Sequence, residues 1–95
     1  PPASAPINKD IKKELQKQQK IFQQLEEKLA ALNKQKSESE ASLVDPAVYS
    51  DKQKFLQAEA SYKKAEAELA ALNTEYEKVF EKIIQLENRW RWNHV

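Results

Sequence analysis

Apolar side chains recur along the first part of the chain in steps that alternate between four and three residues. The repeat begins at Ile11 and continues without a break to Leu43. A spacing of 3.5 residues is typical of the seam of a coiled coil. It predicts one long helix over about residues 9–43. The predicted seam of this helix consists of Ile11, Leu15, Gln18, Phe22, Leu25, Leu29, Leu32, Lys36, Ser39 and Leu43.

The second half of the chain carries a repeat of the same kind, which predicts a second helix over about residues 51–91. Its predicted seam consists of Phe55, Ala58, Tyr62, Ala65, Leu69, Leu72, Tyr76, Val79, Ile83, Leu86 and Trp90. Two matching seams joined by a short connection bury each other best when the chain folds back on itself. The sequence therefore predicts an all-α fold, a two-helix antiparallel coiled-coil hairpin over residues 8–92, with its turn at residues 44–50.

The turn contains a strong helix-start signal. Asp45 precedes Pro46, and the residue before a proline is disfavoured in a helix, whereas the proline ring suits a first helical turn. We expect Asp45 to be an N-cap, with Val44 and Tyr49 at the spacing of a hydrophobic staple.

A second start signal follows at once, because Ser50 and Gln53 have the spacing of a capping box. The alternative, a kink within one continuous helix, is disfavoured because two caps and a proline interrupt the helix at the same place. These signals predict that the chain reverses direction here.

The hairpin implies a register, which is fixed by placing Leu43 opposite Phe55 at the turn. The remaining predicted pairs are Lys36 with Tyr62, Leu32 with Ala65, Leu29 with Leu69, Leu25 with Leu72, Phe22 with Tyr76, Leu15 with Ile83 and Ile11 with Leu86.

The two ends of the chain carry weaker signals. Residues 1–7 have the composition of a flexible linker, Asn8 is placed to cap the first helix, and residues 93–95 form a short tail. The chain contains no methionine, so we expect it to be a piece of a longer protein.

The composition argues against an enzyme. The chain has no glycine, which a phosphate-binding loop requires, and no cysteine. Its one histidine, His94, has no second imidazole or thiol to share a metal ion. We expect no catalytic residue, no metal, no cofactor in this chain and no small-molecule substrate. No apolar run approaches the roughly 20 residues that cross a bilayer, so we expect no membrane partner.

The formal net charge of +1 conceals an uneven distribution. Residues 9–24 carry a net charge of +3 and residues 82–92 a net charge of +2, whereas residues 25–81 carry −4. A hairpin would bring the two basic segments to the same end. Such an end attracts phosphates, so the sequence predicts contact with nucleic acid, either DNA or rRNA. The predicted phosphate contacts are Lys9, Lys12, Lys13, Lys17, Lys20, Lys82, Arg89 and Arg91. The alternative is a solvated basic face, or one that pairs with an acidic surface elsewhere in the parent protein.

Four apolar side chains near the C-terminus allow a second interpretation. Trp90 continues the seam, whereas Trp92 lies about 200° further round the helix and would either stack on a base or pack against Ile7. Phe80 and Ile84 also lie off the seam. An apolar flank of this kind often docks onto another protein, which makes a structural arm the alternative function.

The turn sequence LVDPAVYSD, through Leu43, Asp45, Pro46, Val48, Tyr49 and Asp51, resembles the turn of the helical hairpin that ends ABC-F ATPases of the Uup type. The resemblance extends over residues 12–87. Phe80 stands where that family often has tryptophan, and residues 89–95 have no counterpart that we can place.

The resemblance implies a cytoplasmic parent protein that binds and hydrolyses ATP on cassettes outside this chain. It also implies association with the ribosome and, for the Uup-type C-terminal domain, binding to DNA. The partners that it implies are therefore nucleic acid and the parent ATP-binding cassettes. Under the alternative function, the arm would dock on the parent ATPase or on ribosomal protein.

Overall fold

The computed structural model describes the backbone of residues 4–94 and the side chains of residues 9–92. Within residues 4–94, three helices follow one another: α1 (Ser4–Leu43), α2 (Pro46–Tyr49) and α3 (Lys52–His94). The described residues contain no strand. α1 and α3 pack against each other as a helical hairpin, which confirms the predicted fold class.

Both long helices extend further toward the chain ends than the sequence indicates. α1 begins at Ser4 and so includes four residues of the predicted linker, residues 4–7, while residues 1–3 lie outside the described part. Pro6 is accommodated because the first turn of a helix needs no partner for its N–H groups. Asn8 is therefore inside the helix and is not its cap. α3 reaches His94 and includes two residues of the predicted tail.

The predicted seams are the buried faces of both helices. Every side chain assigned to a seam is buried or half-buried, including the polar Gln18, Lys36 and Ser39. The most buried apolar residues are Ile11, Leu25, Ala65, Leu69, Ile83 and Leu86. The alternation of steps of three and four residues thus identified the core correctly.

The first half of the turn is built as the sequence predicts. Asp45 has an extended backbone with φ −81° and ψ 121°, and its carboxylate caps α2 by accepting a hydrogen bond from the backbone N–H of Ala47. The N···O distance is 3.0 Å. Val44 and Tyr49 remain 76% and 55% exposed, so the proposed staple between them buries little apolar surface.

The second half of the turn differs from the prediction, because Asp51 and not Ser50 caps α3. The Asp51 carboxylate accepts hydrogen bonds from the backbone N–H groups of Gln53 and Lys54, at 3.0 and 3.3 Å. Ser50 instead ends α2, where its hydroxyl donates to the carbonyl of Pro46 at 2.6 Å. The negative charge of a carboxylate also interacts favourably with the positive end of the helix dipole, whereas a hydroxyl carries no such charge. This favours Asp51 over Ser50 as the cap of α3.

Replacing Asp51 by alanine is therefore expected to lower the free energy of unfolding by about 0.5–2 kcal/mol, the usual effect of losing an N-cap. Ser50→Ala is the matched control and should have a smaller effect, since it leaves the start of α3 capped. Urea unfolding of the two variants makes the comparison. An equal decrease in the free energy of unfolding of both variants would indicate that Ser50 contributes to capping as much as Asp51 does.

The packing within the hairpin divides the chain into two compact units. The terminal unit comprises the residues up to Glu26 and those from Glu75 onward, and the central unit comprises Glu27–Thr74. In the terminal unit the rings of Phe22 and Tyr76 are stacked, with centroids 4.4 Å apart.

In the central unit the ammonium group of Lys36 lies 5.6 Å from the centroid of the Tyr62 ring. Burial raises the pKa of Tyr62, and the nearby carboxylates of Glu66 and Glu40 raise it further. The Lys36–Tyr62 contact and the stacking of Phe22 on Tyr76 are both pairs that the predicted register specifies, so the register is confirmed within each unit.

Candidate nucleic-acid interface

All eight predicted phosphate contacts belong to the terminal unit, and all eight side chains are exposed. They lie on two helices: five lysines on α1, and Lys82, Arg89 and Arg91 on α3. Their distribution around each helix shows which of them share a surface.

Four of the lysines of α1 form a single stripe. Lys9, Lys13, Lys17 and Lys20 follow one another at intervals of four, four and three residues, which places them on one face of a helix. This face is opposite the seam and is turned away from α3. We refer to these four residues as the lysine stripe.

The remaining basic residues occupy the two flanks of the seam. Lys12 lies beside the seam of α1, about a quarter turn from the lysine stripe. On α3, Arg91 shares one flank with Phe80 and Ile84, whereas Lys82 and Arg89 lie on the other flank. The eight residues therefore surround the terminal unit and do not form a single patch.

One contact links the basic segments of the two helices. The ammonium group of Lys82 lies 3.4 Å from Oε1 of Glu14, and both side chains are partly exposed. The same Oε1 atom accepts a hydrogen bond from the side-chain amide of Gln18 at 2.9 Å. Gln18 is a polar residue of the seam and is only 6% exposed. Its side-chain amide is satisfied by Glu14, the same residue that pairs with Lys82.

These neighbours lower the pKa of Glu14 below its ordinary value. The hydrogen bond from Gln18 has the largest effect, burial opposes it, and the charges of Lys82 and Lys17 lower the pKa further. Glu14 therefore interacts with a cation of each helix, directly with Lys82 of α3 and more weakly with Lys17 of α1.

The lowered pKa of Glu14 predicts a pH dependence of stability. Its carboxylate stabilises the folded chain above the ordinary pKa of 4.5, and this stabilisation disappears as the pH falls through the lower pKa of the folded state. We expect Glu14→Gln to flatten the dependence of the melting temperature on pH below about pH 5.

Glu77→Gln is the matched control, since it removes an exposed carboxylate of the same unit. Thermal unfolding followed by circular dichroism at a series of pH values compares the variants. If both follow the same profile, the contact of Glu14 with Gln18 and Lys82 has no effect on acid stability.

The structure adds one basic residue that the charge count along the sequence did not single out. Lys78 is exposed and precedes Lys82 by one helical turn. Further along the same face come Gln85, Arg89 and Trp92. From Lys78 to Trp92 the five residues are separated by steps of four, three, four and three. The spacing that reveals Lys78 was present in the sequence, because the 3.5-residue repeat defines the outer faces of a helix as well as its seam.

The apolar flank of α3 is a separate surface. Phe80 and Ile84 are 49% and 41% exposed, and the Phe80 ring lies 6.0 Å from that of Phe22 in the seam. Trp90 is half-buried as predicted for a seam residue, whereas Trp92 is 81% exposed. The alternative contact of Trp92 with Ile7 lies outside the described side chains.

Other kinds of site receive no support from the part of the chain that the structure describes. It contains no group of three or more histidine, cysteine, aspartate or glutamate side chains that could hold a metal ion. None of its helices is long and apolar enough to cross a membrane.

Comparison with known proteins identifies a family to which the chain is similar. The family model described as the ABC transporter C-terminal domain matches residues 13–79. Neither the curated proteins nor the solved structures provide a match. The matched range contains the turn, most of both helices and three lysines of the stripe, and it ends immediately before Phe80. The chain therefore belongs to the ABC transporter C-terminal domain family, and is a non-catalytic accessory domain of an ABC protein.

Proposed function

We propose that this domain binds nucleic acid, DNA or rRNA, through the cationic side chains of its terminal unit. The observation that carries the proposal is the juxtaposition of two basic segments from opposite ends of the sequence. Lys82 of α3 lies 3.4 Å from the Glu14 carboxylate of α1, within the basic segment that contains Lys13 and Lys17. Exposed lysines and arginines continue from this point along both helices.

Phosphate backbones suit such a surface better than a compact ligand does. The lysine stripe extends over the twelve residues 9–20, or about 17 Å along the helix, so its charges can meet several phosphates of one strand. Each neutralised phosphate releases counterions, which supplies most of the binding free energy. Contacts of this kind position a nucleic acid without reading its bases.

The family supports a role within a larger ATPase. An ABC protein binds ATP on cassettes, and a chain without glycine has no phosphate-binding loop of that kind. We propose that the parent is an ABC-F ATPase of the Uup type, cytoplasmic and associated with the ribosome, in which this domain supplies affinity for nucleic acid.

A fluorescence titration of labelled duplex DNA and of an rRNA fragment with the 95-residue chain tests the proposal. With four phosphates contacted, the affinity should fall by about 100-fold between 50 and 200 mM salt. Poly-glutamate serves as the control for the alternative in which the basic surface binds an acidic protein. An affinity that does not change with salt, or preferential binding of poly-glutamate, would overturn the proposal.

A second candidate function rests on the exposure of Phe80 and Ile84. Each is more than 40% exposed, and the Phe80 ring lies beside that of Phe22. Covering the remaining half of each side chain would contribute about half of the value for full burial, or about 0.7–1.5 kcal/mol for each side chain. In this alternative the domain is a structural arm that docks on the parent ATP-binding cassettes.

The two candidate functions respond to different substitutions. Binding of the domain to its isolated cassettes should weaken by at least about tenfold when Phe80 and Ile84 are both changed to serine. Charge reversal of the lysine stripe should leave this binding unchanged. If the charge reversal weakens binding to the cassettes and the two serine substitutions do not, the domain does not dock through Phe80 and Ile84.

A further inference from the structure

We propose that a stripe on α3 binds unpaired nucleotides, with Trp92 as a stacking surface for a base. The stripe consists of Lys78, Lys82, Gln85, Arg89 and Trp92, and we call it the α3 track. This inference rests on the proposed function and narrows it, because it separates the binding of single strands from the binding of duplexes.

The α3 track is a continuous face of one helix. Its members are spaced by four, three, four and three residues, and all five side chains are exposed. The face extends over about 21 Å. Three of its residues are cations, one is an amide that can donate hydrogen bonds, and the last is an indole.

Trp92 distinguishes this face from an ordinary solvated basic surface. Its side chain is 81% exposed, the largest exposure among the large apolar residues of the described part. Leaving so much indole surface in water forgoes the favourable free energy of burial. A base that stacks on the ring would cover it, while the phosphates of the same strand lie along the cations.

The arrangement favours a single strand over a duplex. In a duplex the bases are stacked on one another, so their flat faces are not available to an indole. Proteins that bind single strands combine a basic track with aromatic side chains on which bases stack. The α3 track has both components in line along one helix.

The ion pair of Lys82 with Glu14 is compatible with this assignment. Glu14 already pairs with Lys82, and Lys82 nevertheless keeps 54% of its side chain exposed. The opposite flank carries Phe80 and Ile84, so the α3 track and the apolar flank are separate surfaces of the same helix.

The experiment uses the intrinsic fluorescence of Trp92. In a Trp90→Phe background Trp92 is the only tryptophan of the chain. We expect oligo(dT) of about eight nucleotides, within the usual site size, to quench its emission. A duplex long enough to remain fully paired should bind through the lysines and leave the emission nearly unchanged.

The affinity of matched variants completes the test. Trp92→Ala should weaken binding of oligo(dT) by about 5- to 150-fold, the range found for one base stacked on an aromatic side chain, and should leave duplex binding unchanged. Trp92→Phe should restore part of this affinity. Leu56→Ala, which alters an exposed apolar residue of the central unit, controls for nonspecific effects.

The other outcomes are distinguishable from one another. If Trp92→Ala leaves the binding of oligo(dT) and of duplex unchanged, or weakens both equally, the α3 track is not a single-strand site. The proposal that the domain binds nucleic acid would still hold. Equal quenching by poly-glutamate would identify an acidic protein as the occupant and overturn the inference. If neither oligo(dT) nor duplex binds, the proposed function fails together with it.

Discussion

Replacing Leu69 by alanine is expected to lower the free energy of unfolding by about 2–5 kcal/mol, the range for large-to-small changes in a core. Leu69 is 7% exposed and belongs to the seam of α3, one turn from Ala65, which is 1% exposed. A domain of this size has about 5–15 kcal/mol in total, so this one change should remove a large part of the stability.

Leu56→Ala is the matched control for Leu69→Ala, because it deletes the same atoms from a side chain of the same helix that is 50% exposed. We expect it to change stability by less than about 1 kcal/mol. Urea unfolding monitored by circular dichroism measures both variants. Equal destabilisation would show that the seam does not hold the hairpin together.

Changing Lys12, Lys13 and Lys17 together to glutamate is expected to abolish most of the affinity for nucleic acid. Three phosphates are then left without a cationic partner and three like charges are introduced, so we expect a decrease of at least about 100-fold at 50 mM salt. The slope of affinity against salt concentration should become shallower by about 0.9 for each phosphate that is no longer neutralised. Fluorescence titration of duplex DNA at several salt concentrations measures both quantities.

The chain offers a control with the same change in net charge. Lys28, Lys34 and Lys64 are exposed lysines of the central unit, outside the proposed interface. Changing these three to glutamate should weaken binding only through the general repulsion of the phosphates. If this control weakens binding as much as the first variant does, binding depends on net charge and not on the terminal unit.

The sequence predicted the core well because a coiled-coil seam is a local property. Each seam residue is defined by its distance from the previous one, and every predicted member is buried or half-buried. The register followed from placing Leu43 opposite Phe55, and the contacts of Phe22 with Tyr76 and of Lys36 with Tyr62 confirm it within their units.

The helix ends were harder to predict because several residues compete for the same role. Ser50 and Asp51 both had cap-forming side chains, and the structure gives the start of α3 to the carboxylate and the end of α2 to the hydroxyl. At the N-terminus, Asn8 offered a cap, yet the backbone remains helical back to Ser4.

The candidate site was predicted in composition but not in geometry. Counting charges along the sequence identified two basic segments, but not how they are arranged around each helix. The structure separates the lysine stripe from the flank of Arg91, and it pairs Lys82 with Glu14 at 3.4 Å. Such a contact across the seam depends on the register and on side-chain directions, which a charge count does not contain.

Protection of lysines from an amine-reactive reagent tests most directly whether nucleic acid lies on the terminal unit. The chain is acetylated briefly with and without duplex DNA, and each lysine is then quantified by mass spectrometry. We expect bound DNA to slow acetylation of Lys12, Lys13, Lys17 and Lys20, while Lys28, Lys34 and Lys64 react as in the free chain. Equal protection of both sets, or protection of the central unit alone, would contradict the proposed interface.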